Sequence, residues 1–496
     1  MYRSRPKGDL EPESLNFMSS VKVDNKIAAY DILGTQAHAI MLHEKGLIDL
    51  EALKLILYEL RMLLQNPKVV EILGYEDIHE ALEAHLIKKL GIEIGGRIQT
   101  GRSRNDQVIL DIRMMARDEL NIICSKLITL VEGILVKAEE NLDAVMPLYT
   151  HLQQAQIGNL SHYFLSYSDQ LFRDLERLSI AYKGINKSPL GSGPVGGSGL
   201  PLDRNRTAQL LGFEGLIINS IDATSSRDSL LEVMSALSIT MITLSRMAQD
   251  FILWSTQEFG YLEIADNLAS TSSAMPQKKN PDPLELIRSK TAIIMGNLLT
   301  SLTILGSLPS GYHRDLQDLK LVFFSTLSII SSTLSISDAI VRTLVINKCH
   351  MKQVVHDSYA NSIDIAEQLV VRKGLAFRTA HRFVGSLVKI AVDKKLSELS
   401  RVSEIDIERM TAAISDDLKV KDVVKILAEM TPDKLLLLRS STGSPNPLQQ
   451  KAMIKSSRIQ LQRNMKKLLE RREHLKNADD NLRNVTSSYL KKMQKK

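Results

Sequence analysis

Apolar residues recur at three- and four-residue steps along most of the chain, in windows much longer than a strand. Residues 229–254 are apolar on nearly every side of such a helix, which indicates burial on most faces. A second long pattern covers residues 284–308, whereas alternating strand patterns are scarce. The pattern predicts an all-α fold whose centre is a bundle of long helices, with part of the bundle at an oligomer interface.

Polar or glycine-rich loops interrupt the helical patterns at residues 95–106, 187–203, 266–283 and 309–315. Such long connections are uncommon in helical proteins unless they bind a ligand or are disordered. The pattern changes near residue 110 and again near residues 358–364. These changes predict two smaller helical domains that flank the bundle: an N-terminal helical domain (1–110), a central long-helix bundle domain (111–360) and a C-terminal helical domain with a basic tail (361–496).

The composition is that of a folded globular protein, with 496 residues of which 44% are hydrophobic and 24% charged. The two cysteines, Cys124 and Cys349, lie far apart, which fits a reducing compartment and predicts a cytoplasmic location. No apolar signal region follows residues 1–7. Serines and threonines break the longest apolar stretches, so we expect no transmembrane helix and no membrane partner.

The net charge of +6 is concentrated at the end of the chain. Residues 461–496 hold 11 of the 63 Lys and Arg residues but 4 of the 57 Asp and Glu residues, so the remainder is nearly neutral. A basic helix end is usually a solvated surface, and we favour that interpretation over a nucleic-acid partner.

Residues 100–107 read Thr-Gly-Arg-Ser-Arg-Asn-Asp-Gln and place two guanidiniums, a hydroxyl and an amide around one glycine. Such a cluster can hold carboxylates through single and bidentate hydrogen bonds. A solvated loop that ends in a helix cap is an equally good interpretation of these residues alone.

Residues 149–153, Tyr-Thr-His-Leu-Gln, fit a capping box with Thr150 as N-cap, Gln153 three residues later and His151 at the first helical position. There the helix dipole would disfavour an imidazolium and leave His151 neutral and able to take a proton. From spacing alone, a histidine with no chemical role is the more common case.

Residues 272–282 combine serines, lysines and an asparagine in a loop whose prolines prevent helix or sheet. A serine near lysines can be stabilised as an alkoxide, and a lysine can hold a developing anion. The alternative, a flexible surface loop, is weakened because apolar helical patterns flank it.

Residues 282–285 predict another helix start, with Asp282 as N-cap, Pro283 first and Glu285 completing a capping box. Glu285 is either only a cap or a carboxylate that orients a histidine.

Two other site types are not expected. Residues 191–196 match G-x-G-x-x-G, but no apolar strand precedes them and no strand–helix alternation surrounds them, so we reject a dinucleotide site. No His or Cys cluster has metal spacing and no phosphate loop is present. We therefore expect neither a metal nor a cofactor.

Taken together, the chain resembles the argininosuccinate lyase family of the fumarase/aspartase superfamily along most of its length. The segments that carry the resemblance are residues 17–21 with Asp24, 30–32, 37–39, 76–79, 101–107, 149–153, 188–193, 226–228, 275–282, Tyr312 with 314–317 and Lys320, and 372–374 with 377–378 and 380–381. Residues 272–282, called the lysine loop from here on, would alone indicate the superfamily, whereas residues 102–107 indicate the family.

The resemblance implies a fumarase/aspartase-like homotetramer whose active sites are each built by loops from three subunits. It implies reversible elimination of argininosuccinate to arginine and fumarate, the last step of arginine biosynthesis. It also implies that Ser272 is the base, that Lys278 and Asn280 steady a dianionic intermediate, and that His151, oriented by Glu285, moves a proton to the leaving group. The substrate-binding residues that it implies are Ser20, Asp24, Ser103, Arg104, Asn105, Thr150, Arg227, Asn280, Tyr312, Gln317 and Lys320.

Three positions depart from the family pattern: Thr271 replaces a usual glycine, His313 a common asparagine and Gln154 a basic residue. A β-branched residue at 271 would stiffen the lysine loop, which would act as a lid. Three alternatives remain: another superfamily lyase such as adenylosuccinate lyase, fumarase or aspartase; a noncatalytic protein, since the family has been recruited as a lens crystallin; and a nucleic-acid binder. Residues 102–107 argue against the first, and the retained catalytic residues argue against the second.

Overall fold

The structure, a computed structural model, describes residues 11–67, 74–413 and 418–491. Residues 1–7, used above for the expectation that no signal region is present, lie outside this range. The last five residues of the basic tail also lie outside it.

The described residues form mainly α-helices, joined by a few short strands. The helices are α1 (Pro12–Met18), α2 (Val21–Asp24), α3 (Ala28–Glu44), α4 (Leu50–Gln65), α5 (Ile78–Leu90), α6 (Ile92–Gly95), α7 (Arg104–Glu140), α8 (Leu160–Ile185), α9 (Arg204–Leu210), α10 (Ser220–Ser225), α11 (Asp228–Trp254), α12 (Asp282–Gly306), α13 (Asp318–Thr343), α14 (Lys348–His356), α15 (Ser362–Lys373), α16 (Phe377–Asp393), α17 (Glu404–Ala412), α18 (Val420–Glu429), α19 (Pro432–Leu438) and α20 (Pro447–Lys491). Short 3₁₀ helices cover Gly96–Gln99, Asp266–Leu268, Arg314–Gln317 and Leu399–Arg401. The strands are β1 (Val145–Thr150), β2 (Gln153–Asn159), β3 (Leu262–Glu263), β4 (Ser270–Thr271), β5 (Lys279–Asn280) and β6 (Val345–Ile346).

The centre of the molecule is a bundle of α7, α8, α11, α12 and α13. The predicted all-α fold is confirmed, and the two longest apolar patterns correspond to α11 and α12. Helix α7 has 37 residues, which at about 1.5 Å per residue makes it roughly 55 Å long. The bundle therefore separates features at its two ends by tens of ångströms.

Two hydrophobic cores lie in the described residues. The larger core contains the bundle, the N-terminal helices and the buried face of α20, which packs on α7 and α8. The smaller core is formed by residues 355–436 and takes in Val145 and Ile157 from the β1–β2 hairpin. The domain bounds at residues 110 and 360 stay a prediction.

Two helical segments, Asp228–Trp254 and Arg314–Thr343, are long and apolar enough by length and composition to cross a membrane. Both belong to the bundle, where 61% and 50% of their most apolar windows are buried. Core helices of soluble proteins have the same properties, and the expected absence of a membrane span stays a prediction.

The expected helix start at Thr150 is wrong. Residues 145–159 form an antiparallel β-hairpin, β1–β2, in which Thr150 pairs with Gln153. His151 and Leu152 form its two-residue turn with φ of 56° and 59°, the left-handed geometry of the tight hairpin turns that match strand twist. The next helix, α8, begins at Leu160. The helix-dipole argument for a neutral His151 therefore fails.

The lysine loop is also a hairpin, contrary to the expectation that its prolines prevent sheet. Strands β4 and β5 pair Ser270 with Asn280 and Thr271 with Lys279, and both prolines lie outside the paired residues. Helix α12 begins at Asp282 rather than after it, and its N-cap, Pro281, makes no side-chain cap. The predicted capping box of Asp282 and Glu285 is absent from this described helix start.

Candidate active site

Ser20, Asp24 and Lys320 form one buried hydrogen-bonded group although about 300 positions separate the first two from the third. The Lys320 ammonium donates to Ser20 Oγ at 3.0 Å and pairs with the Asp24 carboxylate. Ser20 Oγ donates to Asp24 Oδ2 at 2.7 Å. The first turn of α13 is thereby joined to the start of α2.

The guanidinium of Arg104, at the first position of α7, faces three carboxylates. Its distances to Asp77, Glu76 and Glu80 are 3.2, 3.5 and 3.5 Å. Arg314 pairs with Glu76 at 2.9 Å. This region is consequently rich in acceptors.

Gln317 lies beside the same group, since its amide nitrogen donates to the carbonyl of Met18 at 3.0 Å. The turn before α7 is held locally: Ser103 Oγ accepts from the Asn105 backbone, and Asn105 Nδ2 donates to the Pro194 carbonyl at 2.8 Å.

Arg227 and Tyr312 lie near this end of the bundle. Arg227 is buried and lines a small cavity with Ser301, Leu305 and Leu319. Burial lowers the pKa of Arg227 to about 10, against the opposing effect of Tyr312. Burial likewise raises the pKa of the Tyr312 hydroxyl. Two groups that sequence separates by 85 positions are therefore electrostatic neighbours.

The lysine loop forms a second group. Ser272 Oγ accepts the backbone N–H of Ala274 at 3.3 Å and of Met275 at 3.1 Å. Lys279 pairs with Glu263 and Asp266, both at 2.6 Å, whereas Lys278 makes no ion pair within the described residues. Lys278, Asn280 and Glu285 line one open pocket. Lys278 is thus the lysine of this loop whose charge is available to a ligand.

His151 and Thr150 are exposed at the tip of the β1–β2 hairpin. The Tyr149 hydroxyl lies in hydrogen-bond contact with that of Tyr261, just before β3, which ties the hairpin to the chain leading to the lysine loop. In the described part of the chain no hydrogen bond or ion pair joins His151 to Glu285. The expected pairing of these two residues is not formed within one chain.

The two groups of predicted residues lie at opposite ends of α12. Glu285 is in its first turn, whereas Leu305, which lines the Arg227 cavity, is in its last. The rise of about 1.5 Å per residue puts these positions about 30 Å apart along the axis. One chain therefore does not bring all predicted site residues together.

Among the described residues, Asp31, His79 and Asp111 are the group whose donor atoms could hold a metal, all within 4.8 Å of one another. His79 Nδ1 is instead 3.1 Å from Asp31 and 3.6 Å from Asp111. Burial lowers the pKa of His79, but the charges of Asp31, Asp77 and Asp24 outweigh it and raise the pKa above its ordinary value. His79 is therefore suited to an ion pair with Asp31, whereas burial and the charge of Asp31 raise the pKa of Asp111 well above its ordinary value and favour its neutral form.

Sequence reasoning assigned no role to the acidic residues around Arg104. Asp77 is the N-cap of α5, where it accepts from the Glu80 backbone at 2.8 Å while its other oxygen faces Arg104. Despite its burial, His79 and Arg104 hold the pKa of Asp77 below its usual value. The signal in the sequence that could have identified this acidic group was the occurrence of three acidic residues, at positions 76, 77 and 80, around the start of one helix.

The chain matches the lyase family model over residues 11–296 and the C-terminal model of argininosuccinate lyase over residues 359–429. It is 45% identical to the argininosuccinate lyase of Nitrosopumilus maritimus, over 92% of this chain and 93% of that protein. The chain belongs to the argininosuccinate lyase family.

Two solved structures share the fold of this chain. An EDDS lyase variant with bound fumarate is 29% identical and superposes with a TM-score of 0.85, covering 99% of this chain and 98% of that one. A class II fumarase from Schistosoma mansoni is 17% identical, with a TM-score of 0.70 over 84% of this chain and 93% of that one, and supports the fold alone.

The departures from the argininosuccinate lyase pattern have structural settings. Thr271 lies in β4, where a β-branched residue suits the paired backbone. Gln154 pairs with Tyr149 just after the irregular step in the hairpin. His313 precedes the 3₁₀ turn of Arg314–Gln317, and its buried Nε2 has no hydrogen-bond partner in the described chain.

Proposed function

We propose that this protein cleaves argininosuccinate reversibly into arginine and fumarate, as a step of arginine biosynthesis. The proposal rests on two groups of residues. Ser272 and Lys278, which makes no ion pair in the described chain, lie on the lysine loop. The carboxylates around Arg104, which can bind a cationic ligand, belong to the second group. Family membership at 45% identity supports the same reaction.

Ser272 is the proposed base. Two backbone N–H groups donate to its Oγ, and such donors stabilise negative charge on the oxygen. Lys278 and Asn280 would hold the carboxylate-stabilised carbanion that forms when the proton leaves. His151 would then deliver a proton to the departing guanidinium nitrogen, with Glu285 as its orienting carboxylate.

The substrate-binding cluster is proposed to consist of Ser20, Asp24, Ser103, Arg104, Asn105, Arg227, Tyr312, Gln317 and Lys320. Thr150, at the tip of the β1–β2 hairpin, is proposed to bind the substrate from the other group. Asp24 suits the guanidinium or ammonium of the arginine half, and Arg227 suits a carboxylate. Asp24 already pairs with Lys320. Each of these two charges would also attract the opposite charge of the zwitterionic substrate.

A homotetramer is part of the proposal, because a small substrate cannot reach both ends of α12 in one chain. Exposed apolar side chains on α12 support it: Met295, Leu299 and Leu302, spaced i, i+4 and i+7, form a stripe on one face and are 48%, 66% and 47% exposed. Leu286 and Ile293, 54% and 48% exposed, lie on the opposite face. Exposed apolar faces on a long helix are typical of a bundle interface. The lysine loop of one subunit would then meet the substrate-binding cluster of another.

We also propose a cytoplasmic location, and neither a membrane nor a nucleic-acid partner. Cys124 and Cys349 are free thiols, and Cys349 is exposed, which suits a reducing compartment.

The test is fumarate absorbance after argininosuccinate is added to the purified protein, with adenylosuccinate, malate and aspartate in parallel. Fumarate from argininosuccinate alone, with an equal amount of arginine, supports the proposal. Release from another substrate, or from none, contradicts it.

The role of Ser272 has its own test in Ser272→Ala, compared with Ser273→Ala on the same loop. We expect the first to lower kcat by roughly a hundredfold or more and the second to lower it far less, since only the Ser272 hydroxyl is the proposed base. Near-normal turnover of a folded Ser272→Ala protein would refute the assignment.

A further inference from the structure

Arg439 joins the smaller core to the β1–β2 hairpin. It lies directly after α19, and its side chain is only 11% exposed. Its Nε and Nη2 donate to the two carboxylate oxygens of Asp364, in the first turn of α15, both at 3.0 Å. Its Nη1 donates to the backbone carbonyl of Ile157, in β2. One guanidinium therefore connects α15 to the hairpin that carries His151 at its tip.

The Ile157 carbonyl points away from the partner strand and needs a donor from elsewhere. The N–H of Leu160 donates to the Ala144 carbonyl at 2.8 Å, and hydrogen-bonded pairs alternate with non-bonded pairs along an antiparallel ladder. Three steps along the ladder, the pair of Pro147 and Ile157 is a non-bonded one, which suits a proline because it has no N–H. Ile157 is buried, and a buried carbonyl without a donor lowers stability. Arg439 supplies this donor.

The guanidinium is itself held in one direction. A bidentate pair with a buried carboxylate fixes the plane of the fork, so the nitrogen that faces Ile157 has one position. The backbone is fixed as well, because the Arg439 carbonyl accepts from Ser444 Oγ at 2.7 Å. In the same turn, the Gly443 carbonyl lies 2.8 Å from Nε2 of His162, in α8. Arg439 is thus a rigid support between the smaller core and the bundle.

The position of the hairpin tip depends on this support. The turn that contains His151 lies five residues along β2 from Ile157, or about 17 Å at about 3.4 Å per residue. A tilt of about 5° at Ile157 would displace the tip by about 1.5 Å over that length. The contact between the hydroxyls of Tyr149 and Tyr261 is a second support, closer to the tip. A displacement of about 1 Å can lower a rate about a hundredfold when the displaced group takes part in the reaction.

We propose that Arg439, held by Asp364, is a positioning residue: by binding the Ile157 carbonyl it fixes the angle of the β1–β2 hairpin and so places His151 for proton transfer to the departing nitrogen. The inference rests on the proposed function and makes it more specific. It gives the smaller core, which contains none of the predicted site residues, a part in the reaction.

The first experiment compares Arg439→Lys with Arg372→Lys. A lysine keeps the charge at 439 but cannot bind both Asp364 and the Ile157 carbonyl. Arg372, on α15, is the matched control, since its partners Gln368 and Glu429 both lie outside the hairpin. We expect Arg439→Lys to lower kcat for argininosuccinate at least about tenfold, with KM within about threefold of wild type.

Amide hydrogen exchange, followed by mass spectrometry, measures the support without reference to activity. In Arg439→Lys, exchange of the hairpin residues 145–159 should become about tenfold faster, because one charge-assisted hydrogen bond is lost. Arg372→Lys should leave both kcat and this exchange close to wild type.

A double variant separates the placement of His151 from a general loss of structure. In a His151→Asn background the proton donor is already missing, so adding Arg439→Lys should lower the residual kcat by less than about twofold. An equal loss of kcat in both backgrounds would show that Arg439 has only a structural role. Arg439→Met combined with Asp364→Leu removes both charges of the buried pair and should behave like Arg439→Lys, which keeps the test available if Arg439→Lys does not fold.

The other outcomes are also decisive. A wild-type protein that does not cleave argininosuccinate would refute the proposed function, and the positioning role with it. If the wild type cleaves the substrate but Arg439→Lys has a normal kcat, only the positioning role is wrong, whether or not the hairpin exchanges faster. Near-normal turnover of His151→Asn would overturn it as well, because the hairpin would then carry no proton donor.

Discussion

His38 shows how one buried side chain can make the whole protein sensitive to acid. Its ring is completely buried, and Nε2 lies 2.9 Å from the Thr100 carbonyl, just before the turn that carries the predicted binding residues. Burial lowers the pKa of His38 to about 3, and the charge of Arg102 acts in the same direction. The ring is therefore neutral, and Nε2–H donates to Thr100.

The linkage predicts a loss of stability as pH falls. An unfolded histidine takes up a proton near pH 6.5, whereas folded His38 does not, so acid favours the unfolded chain. Between about pH 7.5 and about pH 5.5, the wild type should lose about 1.4 kcal/mol more of its free energy of unfolding than His38→Gln, measured by urea denaturation. His381→Gln, on an exposed side chain, is the control and should follow the wild type. Equal losses in all three proteins would rule out a neutral His38.

The role of a residue could be predicted from the sequence where it depends on neighbouring residues. It could not be predicted where it depends on contacts between segments far apart in the chain. The segments containing Ser20, Asp24 and Lys320 can be recognised in the sequence as family segments. Nothing in their spacing predicts that the Lys320 ammonium forms an ion pair with the Asp24 carboxylate. The three backbone N–H groups that donate to the Asp106 carboxylate were equally hidden, because two of them come from a loop 85 positions later.

Helices were predicted well where the apolar helical pattern continues over many turns. Helix α11 was expected over residues 229–254 and runs over Asp228–Trp254, because a buried helix repeats its apolar positions for many turns. The hairpin at Thr150 was missed because four residues satisfied a capping box. Two features of the sequence argued against a helix here: Gln153–Asn159 has no apolar helical pattern, and residue 158 is glycine. In the structure, a Cβ at Gly158 would lie 2.3 Å from the Leu148 side chain.

The apolar stripe of α12 carries a prediction at the scale of the element. Leu299 is 66% exposed, and we expect it to be buried against a second copy of the chain. Burial of a leucine contributes about 2 kcal/mol, so Leu299→Glu should weaken association by at least about thirtyfold and lower activity with it. Light scattering after size exclusion measures the assembly, and circular dichroism checks the fold.

Val371→Glu is the matched control, since Val371 is 78% exposed on α15, outside the bundle. It should leave the assembly unchanged. A Leu299→Glu protein with the wild-type mass and activity would show that this face of α12 is not an interface.

For the whole molecule, the decisive feature is that the predicted chemistry is divided between the two ends of α12. Ser272 and Lys278 lie by its start, and Arg227 by its end, about 30 Å away. A bundle of long parallel or antiparallel helices cannot shorten that distance by bending. Association of chains with opposite directions can, because it brings the start of one helix beside the end of another.

This division predicts complementation between two inactive variants. Ser272→Ala and Asn105→Ala should each be nearly inactive alone. If a site takes its lysine loop from one chain and Asn105 from another, co-expression in equal amounts should restore about one quarter of wild-type activity, since random assembly leaves both contributions intact in about that share of sites. A mixture of Ser272→Ala with Lys278→Gln is the control, because both changes lie on one loop and every site that contains an intact serine then lacks the lysine. Fumarate absorbance per amount of total protein measures the recovery. If the first mixture stays at the level of the control, each chain builds its site alone, and the proposed shared site is wrong.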